Sequence, residues 1–355
     1  MQNEQAIVLT NGMLDINLAK TAHGLLRGTT RFDVLAVIDH KHAGKDAGEV
    51  LDGENRNVPI YASVNDYFLH SKVQPEWCVV GVALPGGILP EDFRGELKDA
   101  IRHKLSIACG LHTFLSEDPE FSRLAQEEGV RLLDVRKPRP SSELKFWTGE
   151  IYNVKTPCIA VLGTDCAIGK RTTCRFLMEM CQRHDIYAEM IYTGQTGWMQ
   201  GYKHGFIFDS TVNDFIGGEL ERAVVECDRE SKPDLILLEG QSALRNPSGP
   251  CGAEYLLSAN VKGVILHHAP GRAFYEGTEE IGIRIPPVET EIDLIRAYGS
   301  EVIAITLNGE HMTLEALQNY RDALRAKLGI PVVLPMEEGV GGLLPVIKEF
   351  MAKKL

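Results

Sequence analysis

The sequence has little that would take it to nucleic acid or into a membrane. Its 355 residues carry 37 Lys and Arg against 49 Asp and Glu, a formal charge of -12, and no run of cations forms a basic tract. A nucleic-acid backbone is bound through clustered cations, so nucleic acid is excluded as the main partner. No hydrophobic stretch reaches the length of a membrane span. The opening residues Met1-Gln2-Asn3-Glu4-Gln5 lack the basic start of a signal peptide, and the expected location is the cytoplasm. The eight cysteines include no Cys-x-x-Cys pair. Cys78, Cys158 and Cys181 sit among apolar residues and are expected as buried, reduced thiols. Two nucleotide signatures are also missing. No G-x-G-x-x-G follows the first apolar run, which argues against NAD, and no Asn-Lys-x-Asp follows the late strands, which argues against a GTPase.

What is present is a soluble, globular composition, 44% apolar and 24% charged, long enough for two domains. In the first half, short apolar runs alternate with helical patterns. Strands are expected at Ala6–Thr10, Phe32–Ile38, Val58–Tyr61, Trp77–Leu84, Leu105–Ala108 and Val130–Leu133. Helices are expected between them, the last from Pro119 to Glu128 with Asp118 as its cap. This alternation predicts a doubly wound parallel sheet, Rossmann-like, over residues 1–140. Such sheets take ligands beyond the carboxyl ends of their strands. There Asp39 holds the position of a ribose-binding acid, though without the glycines it reads as a strand-end cap. The prolines, serines and cations of 136–142 read as a linker. A second α/β domain is expected over residues 150–355.

The most informative stretch begins that second domain. An apolar strand, Cys158–Leu162, runs into Gly163-Thr164-Asp165-Cys166-Ala167-Ile168-Gly169-Lys170-Arg171-Thr172-Thr173. A helical pattern follows, with Cys174, Leu177, Met178 and Cys181 on one face. Strand, glycine loop, lysine and helix make a phosphate cradle: backbone N–H groups converge on an anion at the positive end of a helix. Gly163 to Thr173 are therefore the candidate cofactor-binding residues. Five residues separate the glycines where the common P-loop has four. Arg171 stands where a Ser or Thr would bind Mg²⁺, and Thr172, one residue on, is rotated by about 100°. The Gly-Thr-Asp…Gly-Lys form is similar to the loop of dethiobiotin synthetase and the cobyric acid synthases.

Downstream, Leu235–Glu239 is an apolar strand ending in an acid, a Walker-B-like pattern. Glu239 is a candidate catalytic residue and, with Thr172, a candidate Mg²⁺ ligand. His267 and His268 end another strand and are candidate bases. Adjacent strand residues face opposite ways, so at most one is expected to face a ligand. Gln195, Thr196 and Asp214 lie in a polar, glycine-rich stretch suited to contacting substrate. Gln241 and Arg272 complete the candidate substrate set, Arg272 as an anion clamp, with Arg245 and Lys203 as further partners for carboxylates.

Over essentially its full length the chain resembles a bacterial and archaeal family that pairs a Rossmann-like half with a P-loop half. The motifs that carry the resemblance are Gly163 to Thr173 and Glu239-Gly240-Gln241. Some members of that family are described as D-glutamate N-acetyltransferases. The resemblance implies acetyl-CoA as cofactor, its pyrophosphate in the loop, and an amino acid as the small-molecule substrate. The competing readings are a Mg-ATP-dependent ligase or kinase of the dethiobiotin synthetase type, and a nucleotide-binding regulator without turnover. A closed homo-oligomer is the default expectation.

Overall fold

A computed structural model describes residues 3–353. The chain divides into two compact units. The first is Met1–Arg139 together with Gln195–Tyr202, and the second is Pro140–Gly194 together with Lys203–Leu355.

In the first unit six strands form one parallel sheet: β1 (Glu4–Leu9), β2 (Phe32–Ile38), β3 (Ile60–Tyr61), β4 (Trp77–Val80), β5 (Ser106–Cys109) and β6 (Leu132–Asp134). Their order is β3-β2-β1-β4-β5-β6, the Rossmann order with its switch between β1 and β4. Helices α1 (Lys20–Leu26), α2 (Ala47–Asp52), α3 (Val64–His70), α4 (Glu91–Arg102) and α5 (Pro119–Glu128) connect them. Both faces of the sheet are covered, which is why its strands read as continuous apolar runs. Ile7 and Leu9 pack with Ile38, Val80 and Phe93 on one face. Ala6 and Val8 pack with Val37, Val79 and Trp77 on the other. Asp118 caps α5, accepting from the amides of Glu120 and Phe121. Helix α2 shows no sequence signal, because six residues are too few to display a period. It forms because the Asp46 carboxylate accepts from Gly48 and Glu49 in its first turn and from Arg56 and Val58 beyond it.

The second unit has its own parallel sheet: β7 (Cys158–Gly163), β8 (Ala188–Ile191), β9 (Leu235–Glu239), β10 (Gly263–His268), β11 (Glu301–Leu307) and β12 (Val332–Val333). The order is β12-β11-β10-β7-β9-β8. Its helices are α6 (Lys170–Arg183), α8 (Asn213–Glu230), α9 (Ala253–Leu257), α10 (Val288–Ala297), α11 (Leu314–Leu328) and α12 (Leu344–Ala352), while α7 (Gln195–Met199) belongs to the first unit. Helix α8 runs straight through Gly217-Gly218. The glycines are not breakers here. A Cβ on Gly218 would lie 2.1 Å from the Lys145 carbonyl oxygen, so the residue lets another chain segment cross the helix directly. Strand β7 is central, with β9 on one side and β10 on the other. All run parallel, so Gly163, Glu239 and His267 end at the same edge.

The two units do not coincide with the two halves of the sequence. After β8 the chain leaves at Gly194 and contributes residues 195–202 to the first unit before returning. Met199 is fully buried there against the Ala6–Val8 face. The Gln200 amide donates to the carbonyls of Gly24 and Gly28 at 2.8 and 3.0 Å. The Arg31 guanidinium lies 3.8 Å over the Trp198 ring. Gly201, at φ 91°, sits where a Cβ would be 2.4 Å from the Thr30 hydroxyl. The expected linker also begins later than its composition suggests, since Arg136 is buried and donates to the Gly110 carbonyl. No helix among the described residues is long and apolar enough to cross a membrane.

Candidate phosphate-binding site

The loop between β7 and α6 is shaped by what holds its carbonyls. Lys170 reaches back to donate to the Asp165 carbonyl at 2.6 Å and to the Ser242 carbonyl at 2.8 Å. Arg272 donates to the Cys166 carbonyl at 3.0 Å. The Ile168 carbonyl accepts twice, from His267 Nε2 and Asn308 Nδ2, both at 2.7 Å. A trans peptide points its C=O and the next N–H in opposite directions. Fixing the carbonyls of Cys166 and Ile168 therefore turns the N–H groups of Ala167 and Gly169 the other way. Among the described residues, no hydrogen bond engages the amides of Ala167, Ile168, Gly169 or Lys170. The last two open a helix of fourteen residues, whose first-turn donors have no partner within the helix. These amides, the helix dipole and the third N–H of Lys170 are together a donor set of the kind that suits an anion. Ala167 (φ 54°) and Gly169 (φ 112°) adopt left-handed backbone to give this shape. A Cβ at Gly163 would stand 3.0 Å from Lys170 Cδ, so glycine there lets the lysine fold over the strand end. Burial pulls the Lys170 pKa down, against the pull of Cys166, Asp165 and Glu239.

Asp165 is the anchor rather than a ligand contact. It is fully buried. Its carboxylate accepts from the Cys166 amide at 2.7 Å, Asn246 Nδ2 at 3.0 Å, Arg272 Nη1 at 3.0 Å and the Glu276 amide at 2.9 Å. Arg272, expected as a clamp on substrate, is instead enclosed by carboxylates. It pairs with Asp165, with Glu276 at 2.7 Å and with Glu310 at 2.7 Å, and its side chain is 7% exposed. Arg245 pairs with Glu291 at 2.6 Å and Lys203 with Glu230 at 3.0 Å. These guanidinium and ammonium groups already have protein carboxylates.

The two histidines also take other work. His267 lies behind the loop. Its Nε2 holds the Ile168 carbonyl and its Nδ1 meets the hydroxyls of Thr306 at 2.5 Å and Thr173 at 3.3 Å. His268 points to the other face, with Nδ1 at 2.9 Å from the Thr164 hydroxyl and Nε2 at 3.2 Å from the Tyr320 hydroxyl. Burial pushes their pKa values down to about 3 and about 4, so both are neutral and poor bases near neutral pH. They brace the loop. The expectation that strand alternation sends them to opposite sides holds, but neither side is an open ligand face.

Glu239 ends β9 almost fully buried. Its carboxylate accepts from the Thr193 amide at 3.2 Å and lies 3.8 Å from Arg171 Nη1, an ion pair. Gln241 donates to the Thr193 hydroxyl at 3.1 Å. Cys166 is half-buried, with Sγ 3.3 Å from the Ser242 hydroxyl. Gln195 and Thr196 are buried in the first unit, Thr196 against the Thr21 hydroxyl at 3.0 Å. Gln195 lies where a Cβ on Gly110 would be 2.7 Å from its Cγ. Asp214 is exposed in the first turn of α8. Sequence reasoning missed Ser242, Asn246, Thr306 and Asn308. The first two sit in a turn-rich segment just after Glu239, where a loop over the phosphate site was to be looked for. The last two carry no signal outside the fold.

A Mg²⁺ ion fits these residues poorly. The position after the lysine carries a guanidinium. Of the two expected ligands, Glu239 faces Arg171 and, among the described residues, no contact directs the Thr172 hydroxyl toward it; the next hydroxyl, on Thr173, is turned to His267. Among the described residues, no group of three His, Cys, Asp or Glu could hold a metal.

At the equivalent edge of the first sheet, Asp39 is also fully buried. It accepts from the Thr10 hydroxyl at 2.7 Å, the amides of Gly12 and Leu14 at 2.9 and 3.1 Å, and His42 Nδ1 at 2.8 Å. Burial raises its pKa, but these donors outweigh that and the net shift is down. From the end of β2 the carboxylate closes the neighbouring loop after β1 and its own turn at His42, as a cap would.

Comparison with known proteins agrees with both halves. Residues 145–344 match the family model described as "Domain of unknown function (DUF1611_C) P-loop domain". Residues 40–138 match the "Domain of unknown function (DUF1611_N) Rossmann-like domain". A D-glutamate N-acetyltransferase of Pseudoalteromonas sp is 28% identical over 280 residues, 77% of this chain and 81% of the relative. Another D-glutamate N-acetyltransferase, of Tritonibacter scottomollicae, is 28% identical over 276 residues, 76% and 80%. The crystal structure of a DUF1611 family protein from Anabaena variabilis superposes with a TM-score of 0.88 at 28% identity, covering 98% of this chain and 100% of that one.

Proposed function

Since the chain belongs to the DUF1611 family, we propose that it is an N-acetyltransferase that moves acetyl from acetyl-CoA to D-glutamate or a similar amino acid. The coenzyme's pyrophosphate lies on the loop at Gly163–Thr173. One observation carries this reading: four consecutive unengaged amides, from Ala167 to Lys170, at the start of a long helix. A diphosphate has the charge and the oxygens to take them. The names of the two relatives supply the acyl group and the acceptor. In the transfer, the amine nitrogen attacks the thioester carbon. The C–N bond forms and the C–S bond breaks; of the two protons the ammonium gives up, one goes to a base before the attack and the other ends on the departing sulfur, which leaves as a thiol. The histidines do not serve as the base, being buried, neutral and hydrogen-bonded. Glu239 remains the candidate. A cytoplasmic setting suits the eight free thiols.

The test is a pair of assays on the full chain: thiol release from acetyl-CoA with D-glutamate, and phosphate release from ATP with the same amino acid. Thiol release is expected, and Lys170→Ala should lower it by about 100-fold or more through loss of a buried phosphate contact. Phosphate release without thiol release would establish the ligase reading instead. Neither signal across a panel of amino acids would leave a nucleotide-binding regulator.

A further inference from the structure

Phosphate-loop enzymes that cleave phosphoanhydrides place a divalent cation between the hydroxyl after the lysine and the acid at the end of the Walker-B strand. This chain has both positions and fills them differently. Arg171 replaces the hydroxyl residue. The strand-end acid is Glu239, and it lies 3.8 Å from the Arg171 guanidinium. Arg171 sits in the first turn of α6, one residue from Lys170, with its side chain 21% exposed. The Thr173 hydroxyl, two residues on from Arg171, meets His267 Nδ1 at 3.3 Å. A divalent cation placed here would meet a fixed positive charge and compete with it for the same carboxylate.

We infer that Arg171 takes the metal's place, so that this loop binds a diphosphate ester without a divalent cation. The inference rests on the proposal that the loop holds a coenzyme diphosphate, and it names how. Lys170 and the loop amides take one phosphate. The guanidinium, a planar fork that matches phosphate oxygens, supplies the counter-charge that Mg²⁺ supplies elsewhere. Glu239 holds that fork in place. A guanidinium is always present and is not lost with a departing phosphate, which suits a diphosphate that is gripped and released intact. The site should therefore prefer metal-free diphosphate esters to Mg-nucleoside triphosphates.

The experiment is calorimetric titration of the full-length protein with CoA, and with ADP as a second diphosphate. Each is run once with excess EDTA and once with millimolar Mg²⁺. The two dissociation constants for CoA should agree within about twofold. Arg171→Thr restores the usual hydroxyl. It should weaken binding in EDTA by about tenfold or more, the loss expected for a charge-assisted contact. Arg171→Lys should fall between the two. A wild-type affinity about tenfold tighter in Mg²⁺ than in EDTA would overturn the inference while leaving the coenzyme reading intact. Absence of CoA binding in either buffer would overturn both. The wild-type comparison needs no substitution, so it decides even if Arg171→Thr fails to fold. With a folded Arg171→Thr protein, unchanged affinity in EDTA would also overturn the inference.

Discussion

The carboxyl edges of the two sheets are built on the same plan and differ in one respect. Each carries a fully buried aspartate just past the carboxyl end of a strand, Asp39 after β2 and Asp165 after β7. At the first edge the aspartate follows β2, and it accepts from the amides of Gly12 and Leu14 in the neighbouring loop after β1 and from His42 in its own turn. At the second edge most of the donors come from outside the loop: Asn246, Arg272 and the Glu276 amide, with only Cys166 from the loop itself. The N–H groups of the loop after β1 are thereby taken within the protein, while those of Ala167 to Lys170 in the loop after β7 are not. A buried carboxylate set against a glycine loop is thus an internal substitute for a bound anion. Whether the loop binds an external one depends on which donors that carboxylate consumes.

Exchanging the anchor for alanine should separate the two edges most sharply. Asp165→Ala leaves Arg272 buried beside the loop with one fewer carboxylate and removes the acceptor for Asn246. Loss of a buried ionic partner costs about 3–5 kcal/mol, and diphosphate affinity should fall with it. Asp39→Ala leaves amides without an acceptor, at about 1–3 kcal/mol, and CoA affinity should not move. Urea midpoints and titrations on the two variants measure both. If Asp39→Ala weakened CoA binding as much as Asp165→Ala, the difference between the edges would be wrong.

The units also differ in where their residues come from. The first unit draws Met199 from the second half of the sequence into the core on one face of its sheet. Met199→Ala should cost about 2–5 kcal/mol, the range for truncating a buried aliphatic side chain. The loss should show as faster amide hydrogen exchange in β1 and β2. Exchange that quickens only within 195–202 would mean that the segment is an appendage and not part of that core.

How far the sequence could lead follows from the same residues. Continuous apolar runs predict strands buried on both faces, and so β1, β2, β7 and β9 were readable. The Gly163–Lys170 spacing showed the cradle. What could not be read was partnership across the fold. Arg272 looks like a clamp until Asp165, Glu276 and Glu310 surround it. His267 and His268 look like bases until burial and five hydroxyl or carbonyl partners are seen. Gln195 and Thr196 look like loop residues because the stretch is polar and rich in glycine. Their burial depends on Thr21 and Gly110, distant in sequence and without any pattern pointing to them.

The smallest expected effect concerns how the second loop is held. His267 has a folded pKa of about 3, below the ordinary value of about 6.5. Between those values the unfolded chain takes up a proton that the folded chain refuses. Its contribution is therefore complete above about pH 6.5 and is lost as pH falls, at about 1.4 kcal/mol per pH unit. His267→Gln keeps an N–H donor for the Ile168 carbonyl but cannot titrate. The variant should lose that part of the slope in urea denaturation between about pH 7 and about pH 5. Glu96 and Glu291, whose pKa values burial raises, act in the opposite direction. They cancel when the variant is subtracted from the wild type. An unchanged slope would mean that His267 protonates in place, donating from Nδ1 to Thr306 while still holding Ile168. A cation would then sit behind the loop, and CoA affinity should rise on acidification, as nothing at the Asp39 edge could make it do.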